Sequence, residues 1–195
     1  MPLTIITAAT SEPITLDELR AQCRIDGSDE DVLLTIYIAA ARAKAEGILG
    51  RPLITRTLEQ AFDAFPDLGA ALQLEGTPAQ SVASVTYLDS AGTQQTLAGS
   101  AYALDLTNAL TPYLRLTTAT TWPTTADKPN AVRVRYVVGF GNDGAAVPAD
   151  VRAWLLLTGA YLWAHREAID STGKAIEVPG RFVDALLDPW RNYAS

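Results

Sequence analysis

Several short stretches of this chain hold residue types that could do chemistry. Gly139-Phe140-Gly141-Asn142-Asp143-Gly144 has the glycine spacing of a dinucleotide-binding loop. In such a loop the glycines let the backbone approach a pyrophosphate, which the next helix holds on its first N–H groups. Here the preceding segment carries Arg133 and Arg135 at alternate positions, so one of its faces is solvated. The next helix starts beyond the last glycine, at Pro148, so its N–H groups would miss the phosphates. The stretch reads as a loop, and no cofactor is expected.

His165 is the only histidine. A catalytic imidazole needs a nucleophile or an orienting acid, and no G-x-S-x-G or comparable motif accompanies it. Near a helix C-terminus the ring simply suits the dipole. Asp26, Ser28, Glu30 and Asp31 resemble part of a calcium loop, but the glycine is misplaced and the twelfth position is Tyr37, not a bidentate Glu. Helix capping accounts for them, and no metal site is expected. Cys23 is the only cysteine, flanked by a single base, Arg24, and reads as a small buried hydrophobe. One cysteine also excludes an internal disulfide. No catalytic residue is expected. Trp190, Arg191 and Tyr193 are of types that anchor interfaces, or they fold back onto their own chain.

The elements that would position these residues follow from periodicity. Thr15 and Glu18 stand in capping-box spacing at the start of a short helix with Ile14, Leu16, Leu19 and Cys23 on its buried side. Asp29–Leu49 is a long helix, expected to be capped by Ser28 and Asp31 and ended by Gly50 and Pro52. It carries two apolar stripes: Leu33, Ile36, Ala40, Ala43 and Gly47, and Leu34, Ile38, Ala41, Ala45 and Ile48. A helix on the edge of a monomer needs one.

After Pro52 the period changes to two. Ile54–Phe65, Ala71–Glu75, Ser81–Leu88, Thr93–Leu97, Tyr102–Leu106, Tyr113–Thr117 and Ala131–Val138 read as strands, with Ala83, Val85 and Tyr87 as the better apolar face of the third. Residues 1–13 look extended, and Thr117–Asn130, with Trp122 inside it, reads as a surface loop. The helical period returns over Val151–Ala168, apolar all round in its middle, and over Arg181–Leu187.

These elements predict an α+β protein. Its base is two long antiparallel-packed helices plus short helices, and an antiparallel β region, a sandwich or small barrel, is inserted between them. The division is 1–52 helical, 53–146 the β insertion, and 147–195 the closing helices and tail. With 195 residues and 48% hydrophobic content the chain can bury a core. A net charge of −7 argues against a grip on nucleic acid. No stretch approaches the ~18 apolar residues of a membrane span, and the N-terminus lacks the pattern of a signal peptide.

The surplus is apolar helix surface, which predicts assembly. One stripe of the long helix would hold the two helices together. The other would meet the next subunit through Leu34, Ile38, Ala41 and Ala45, with Trp154 and Trp163 on the second long helix. Replacing Ile38 or Ala41 with Asp should then spare folding and block assembly.

The run PITLDELRAQCRIDGSDEDVLLTIYIAAARAKAEGILGRPLITRT (Pro13–Thr57) resembles the opening of the head–tail connector, or adaptor, family of long-tailed phages. GTPAQSVASVTYL (Gly76–Leu88), VRVRYVVGFGNDGAAVP (Val132–Pro148), the His165-Arg166-Glu167 run and VPGRFVDALLDPWR (Val178–Arg191) are similar to later passages of that family, in order. Trp190 departs from the expected Tyr. The resemblance implies a non-enzymatic virion component at the neck, made in the host cytoplasm. It would form a ring of twelve copies between the portal and the stopper or tail-terminator proteins, with DNA passing unbound through the lumen. It also implies that the C-terminal segment, Leu187, Trp190, Arg191 and Tyr193, docks on the portal. The rival reading is a β-domain binding module on a helical base, for a tail or host-surface glycan. It needs an exposed aromatic platform from Tyr87, Tyr102, Tyr113, Trp122 and Tyr136.

Overall fold

The computed structural model describes residues 3–107, 111–117, 121–166 and 181–191. It is a mixed α+β chain that divides into two compact units. Met1–Ala9 with Thr55–Phe140 forms a β unit, and Thr10–Ile54 with Gly141–Ser195 forms a helical unit. The N-terminal strand thus lies with the β unit, whereas the sequence division counts it with the helices.

The β unit has two antiparallel sheets. Strands β1 (Leu3–Thr7), β2 (Arg56–Phe62), β4 (Ala79–Leu88), β5 (Gln94–Thr96) and β8 (Val132–Val138) form one, in the order β1-β2-β8-β4-β5. Strands β3 (Leu72–Gln73), β6 (Tyr102–Asp105) and β7 (Tyr113–Leu116) form the other, in the order β3-β7-β6. Both sheets keep open edges, so the small-barrel alternative does not apply. Leu58, Phe62, Val85, Val132, Val134, Tyr136 and Val138 of the first share one core with Leu72 and Leu114 of the second. The alternation of β8 is as its sequence demands: Val132, Val134 and Tyr136 are buried and Arg133 and Arg135 exposed.

Two details depart from expectation. In β4, Ala83 is skipped in the pairing of Val82 with Tyr136 and Ser84 with Arg135. That bulge turns Val82 and Val85 to the core and leaves Ala83 exposed, so strict alternation fails across it. Trp122 is not a surface residue. It stacks on Phe65 at 4.8 Å and its indole N–H donates to the Ala70 carbonyl at 2.8 Å, which satisfies its one donor. At the centre, the Tyr136 hydroxyl lies 2.6 Å from the Glu75 carbonyl and 3.0 Å from Gln60 Oε1, which also accepts from the Glu75 N–H. Burial pushes the Tyr136 phenol far above its usual range.

The helical unit contains α1 (Leu16–Cys23), α2 (Asp31–Leu49), α3 (Ala149–Ala164) and α4 (Arg181–Asp184), which runs into a 3-10 turn over Ala185–Trp190. The Thr15 capping box forms: the Glu18 N–H donates to Thr15 Oγ1 at 3.2 Å, and the Thr15 N–H donates to Glu18 Oε2 at 2.7 Å. That backbone donation holds the Glu18 carboxyl below the usual range, against the effect of burial. The expected Ser28 cap does not form. The helix starts at Asp31 after an uncapped Glu30, because Asp31 is taken by Arg20 and Glu30 by Arg166. Gly50 ends α2 at φ 65°, as expected. No helix among the described residues is long and apolar enough to cross a membrane.

Candidate assembly surface

The chemical candidates resolve into structure. Gly141 and Gly144 are small because their neighbours are close: a Cβ at Gly141 would lie 2.3 Å from Ala146 Cβ, and one at Gly144 would lie 2.4 Å from the Pro13 carbonyl oxygen. Asp143 caps a 3-10 turn through the Ala145 N–H, at 3.0 Å. These two glycines serve close packing in the helical unit. His165 is exposed and stacks on Tyr161 with 4.2 Å between ring centres. The Cys23 thiol is half-buried, and burial raises its pKa, the opposite of what activates a nucleophile. Among the described residues no cluster of three His, Cys, Asp or Glu could hold a metal.

The β unit has an open groove of about 510 Å³ on its sheet face. It is lined by Glu59, Ser84, Thr86, Arg133 and Arg135, among others, with neither histidine nor cysteine. Glu59 neutralises one of the two guanidinium groups, accepting from Arg133 at 3.1 Å and Arg135 at 2.9 Å. The aromatics named for the glycan reading do not form one exposed platform: Tyr113 is half-buried beneath Arg115 and Tyr87 only edges the groove. Tyr136 and Trp122 are buried, and Tyr87 and Tyr102 pack against the core.

What the helical unit offers is a surface. On α2, Leu34, Ile38, Ala41, Ala45 and Leu49 are all at most 3% exposed. They are buried in the same unit as Leu19 of α1 and Val151, Trp154 and Leu155 of α3. Gly159 makes room for Leu19, whose Cδ1 would stand 3.0 Å from a Cβ there. Roughly 180° away, at roughly 100° per residue, lie Val32, Ile36, Ala40, Ala43 and Gly47. Val32 is 78% and Ile36 57% exposed. A side chain at Gly47 would meet nothing within 4 Å.

This reverses the expected sides. Leu34, Ile38, Ala41, Ala45 and Trp154 are sealed inside their own chain and present nothing to another subunit, while Trp163 is only half-buried. The outward stripe is the one that sequence reading had turned inward. The C-terminal candidates are corrected likewise. Leu187 is fully buried, and the Trp190 indole donates to Asp150 Oδ2 at 2.7 Å, so both fold back on their own chain. Arg191 pairs with Asp188 at 3.1 Å, and Tyr193 lies outside the described residues.

The charges near the outward stripe are occupied elsewhere. Arg20 binds Asp17 and Asp31, Arg42 binds Glu12 and Glu46, Arg152 binds Glu18, and Arg166 binds Glu30. The Glu12 carboxylate, 2.7 Å from Arg42 Nε, raises the guanidinium pKa. What remains exposed on α2 is apolar, apart from Thr35 and Lys44.

Two comparisons bear on this architecture. A family model described as "Phage gp6-like head-tail connector protein" matches residues 13–82, which take in α1, α2 and the start of β4. The chain resembles a head–tail connector. Chains from two solved structures, "Neck of empty GTA particle computed with C6 symmetry" and "Neck of native GTA particle computed with C12 symmetry", match it at 26% and 25% identity. Their TM-scores are 0.77 and 0.73, and the matches cover 100% of this chain and 97% of each of those chains. A chain of a third, "Virion of native gene transfer agent (GTA) particle", has the same fold at TM-score 0.77 and 24% identity. No curated protein matches the chain. The connector resemblance read from Pro13–Thr57 lies wholly within the matched residues, and the likeness to the neck structures covers the full length.

Proposed function

We propose that this chain is a structural virion protein of the neck. It would be a head–tail adaptor whose copies close into a ring between the portal and the stopper or tail-terminator proteins, with DNA passing through the lumen. The observation that carries this reading is the full-length match to chains of particle necks, given with six- and twelve-fold symmetry. A twelve-copy ring agrees with both symmetries. The outward stripe of α2 supports the assembly, because a helix with apolar residues on opposite faces needs a cover on each. The work is mechanical rather than enzymatic, in keeping with a surface that holds charge pairs and an apolar stripe. The net charge of −7 suits a channel that repels phosphate and lets DNA slide.

The experiment is cryo-electron microscopy of particles that carry the chain, native or with Ile36→Asp. The native chain should occupy a ring at the neck. The variant should fold, with an unchanged circular dichroism spectrum, and be missing from that ring. Native particles with no density for this chain at the neck would sink the proposal.

A further inference from the structure

A ring made by rotation needs two different, complementary surfaces on each copy, since every subunit meets its neighbours head to tail. The five-stranded sheet has two open edges, β1 and β5, at opposite ends of the order β1-β2-β8-β4-β5. Proteins that must stay apart blunt such edges with Lys, Pro or inward charges. Neither edge is blunted that way: β1 reads Leu-Thr-Ile-Ile-Thr and β5 reads Gln-Gln-Thr, with no charge and no proline in either. Every residue of both strands is exposed. On β1, Leu3, Ile5 and Ile6 are 42%, 55% and 42% exposed, a high value for aliphatic side chains in a sheet.

The lengths also match. β1 pairs regularly with β2 over Leu3, Thr4 and Ile5, and a bulge interrupts it before Thr7. That leaves three residues in regular strand geometry, whose N–H and C=O groups point alternately to β2 and to the open side. β5 is three residues long, Gln94–Thr96. The edges of the smaller sheet fit less well. β3 has two residues, and β6 ends in Asp105, a carboxylate held by Thr107 and Arg115.

We infer that β1 of one copy pairs with β5 of the next copy, so that the five-stranded sheets join edge to edge into a belt around the ring. This rests on the ring reading above. The complement of an open edge is another open edge, and joining the two ends of the same sheet repeats indefinitely under one rotation. Backbone hydrogen bonds would fix the register, while the aliphatic side chains of β1 would be covered by the neighbour.

Cysteine cross-linking in assembled particles tests it. The background is Cys23→Ser, and Thr4→Cys and Gln95→Cys mark the centres of the two edges. Both positions are exposed. Facing residues in neighbouring strands have Cβ atoms about 5 Å apart, within reach of a disulfide or a short bismaleimide. A chain bearing both substitutions should give a ladder of cross-linked multimers. A mixture of the two single variants should give dimers, and either single variant alone should give at least tenfold less. Native chains should also exchange β1 and β5 amides at least tenfold more slowly in the particle than as free protein. Dimers from Thr4→Cys alone would mean that β1 meets β1, and would overturn the inference. Absence of the ladder, with the chain present in the neck ring, would overturn it while leaving the ring reading intact. Absence of the chain from the neck would end both.

Discussion

The two units treat charge and apolar surface in opposite ways. In the helical unit, Arg20, Arg42, Arg152 and Arg166 each hold a carboxylate of the same unit, and the outward side of α2 is left to Val32, Ile36, Ala40, Ala43 and Gly47. In the β unit, Arg133, Arg135 and Glu59 stand on the sheet face, most aromatics pack inward, and the uncovered aliphatics lie on the edge strand β1 and at Leu68 and Leu106 in the connections. Ion pairs at exposed positions contribute little to stability, typically ~0–1 kcal/mol each. In the helical unit they tie the guanidinium groups to carboxylates of the same unit, away from the apolar outward stripe of α2. In the β unit they keep a broad sheet face wet. The difference separates an apolar helix side, whose cover is the proposal above, from a charged sheet face at home in solvent.

The sharpest break of that contrast lies on α2 itself. Ile38→Asp puts a carboxylate at a position 3% exposed among aliphatic neighbours, and should cost ~4 kcal/mol or more. The helical unit should then lose its cooperative melt by circular dichroism. Ile36→Asp, one half-turn away at 57% exposure, should shift stability by no more than ~0.5 kcal/mol and act on assembly alone. Equal destabilisation by the two would show that α2 has no outward side.

A smaller effect probes the interior of the β unit. Tyr136→Phe leaves Gln60 and the Glu75 carbonyl without the hydroxyl that serves both, and should cost ~1–3 kcal/mol in denaturant unfolding while the helical unit is unaffected. The least effect concerns the exposed charges of the β unit. Asp105 accepts from the Thr107 hydroxyl and N–H and from Arg115, in that order of weight, which lowers its pKa to about 2. A carboxylate whose folded pKa lies below its unfolded value of 3.8 adds stability that is full above that pH. The contribution disappears as the pH falls through about 2. Carboxyl-detected NMR should find that midpoint, and Asp105→Asn should remove this part of the acid dependence.

Much of this was legible in the residues. The Thr15–Glu18 box, Gly50, the alternation of β8 and the helix–strand–helix order each rest on contacts within a few positions of one another. The failures share a cause at longer range. Ala41 and Ala45 are chemically the same as Ala40 and Ala43, so composition could not say which stripe faces α3. Ser28 lost its cap to partners of Asp31 and Glu30 that come from α1 and from the end of α3. Trp122 sits in a Thr- and Pro-rich stretch whose local character is that of a loop, and only Phe65, far off in sequence, makes it core. The N-terminal strand could be read as extended, but not as the edge of a sheet whose next member begins at Arg56.

One consequence follows from the chain order of the helical unit. Its first half, Thr10–Ile54, is synthesised before strands β2 to β8, and α3 is synthesised after them. A nascent chain can therefore finish its two sheets while Leu34, Ile38 and Ala41 still wait for Trp154 and Leu155. Until α3 leaves the ribosome, the inward side of α2 lacks its main cover and its apolar side chains stay in water. The last long helix to be translated is thus the one that closes the helical core.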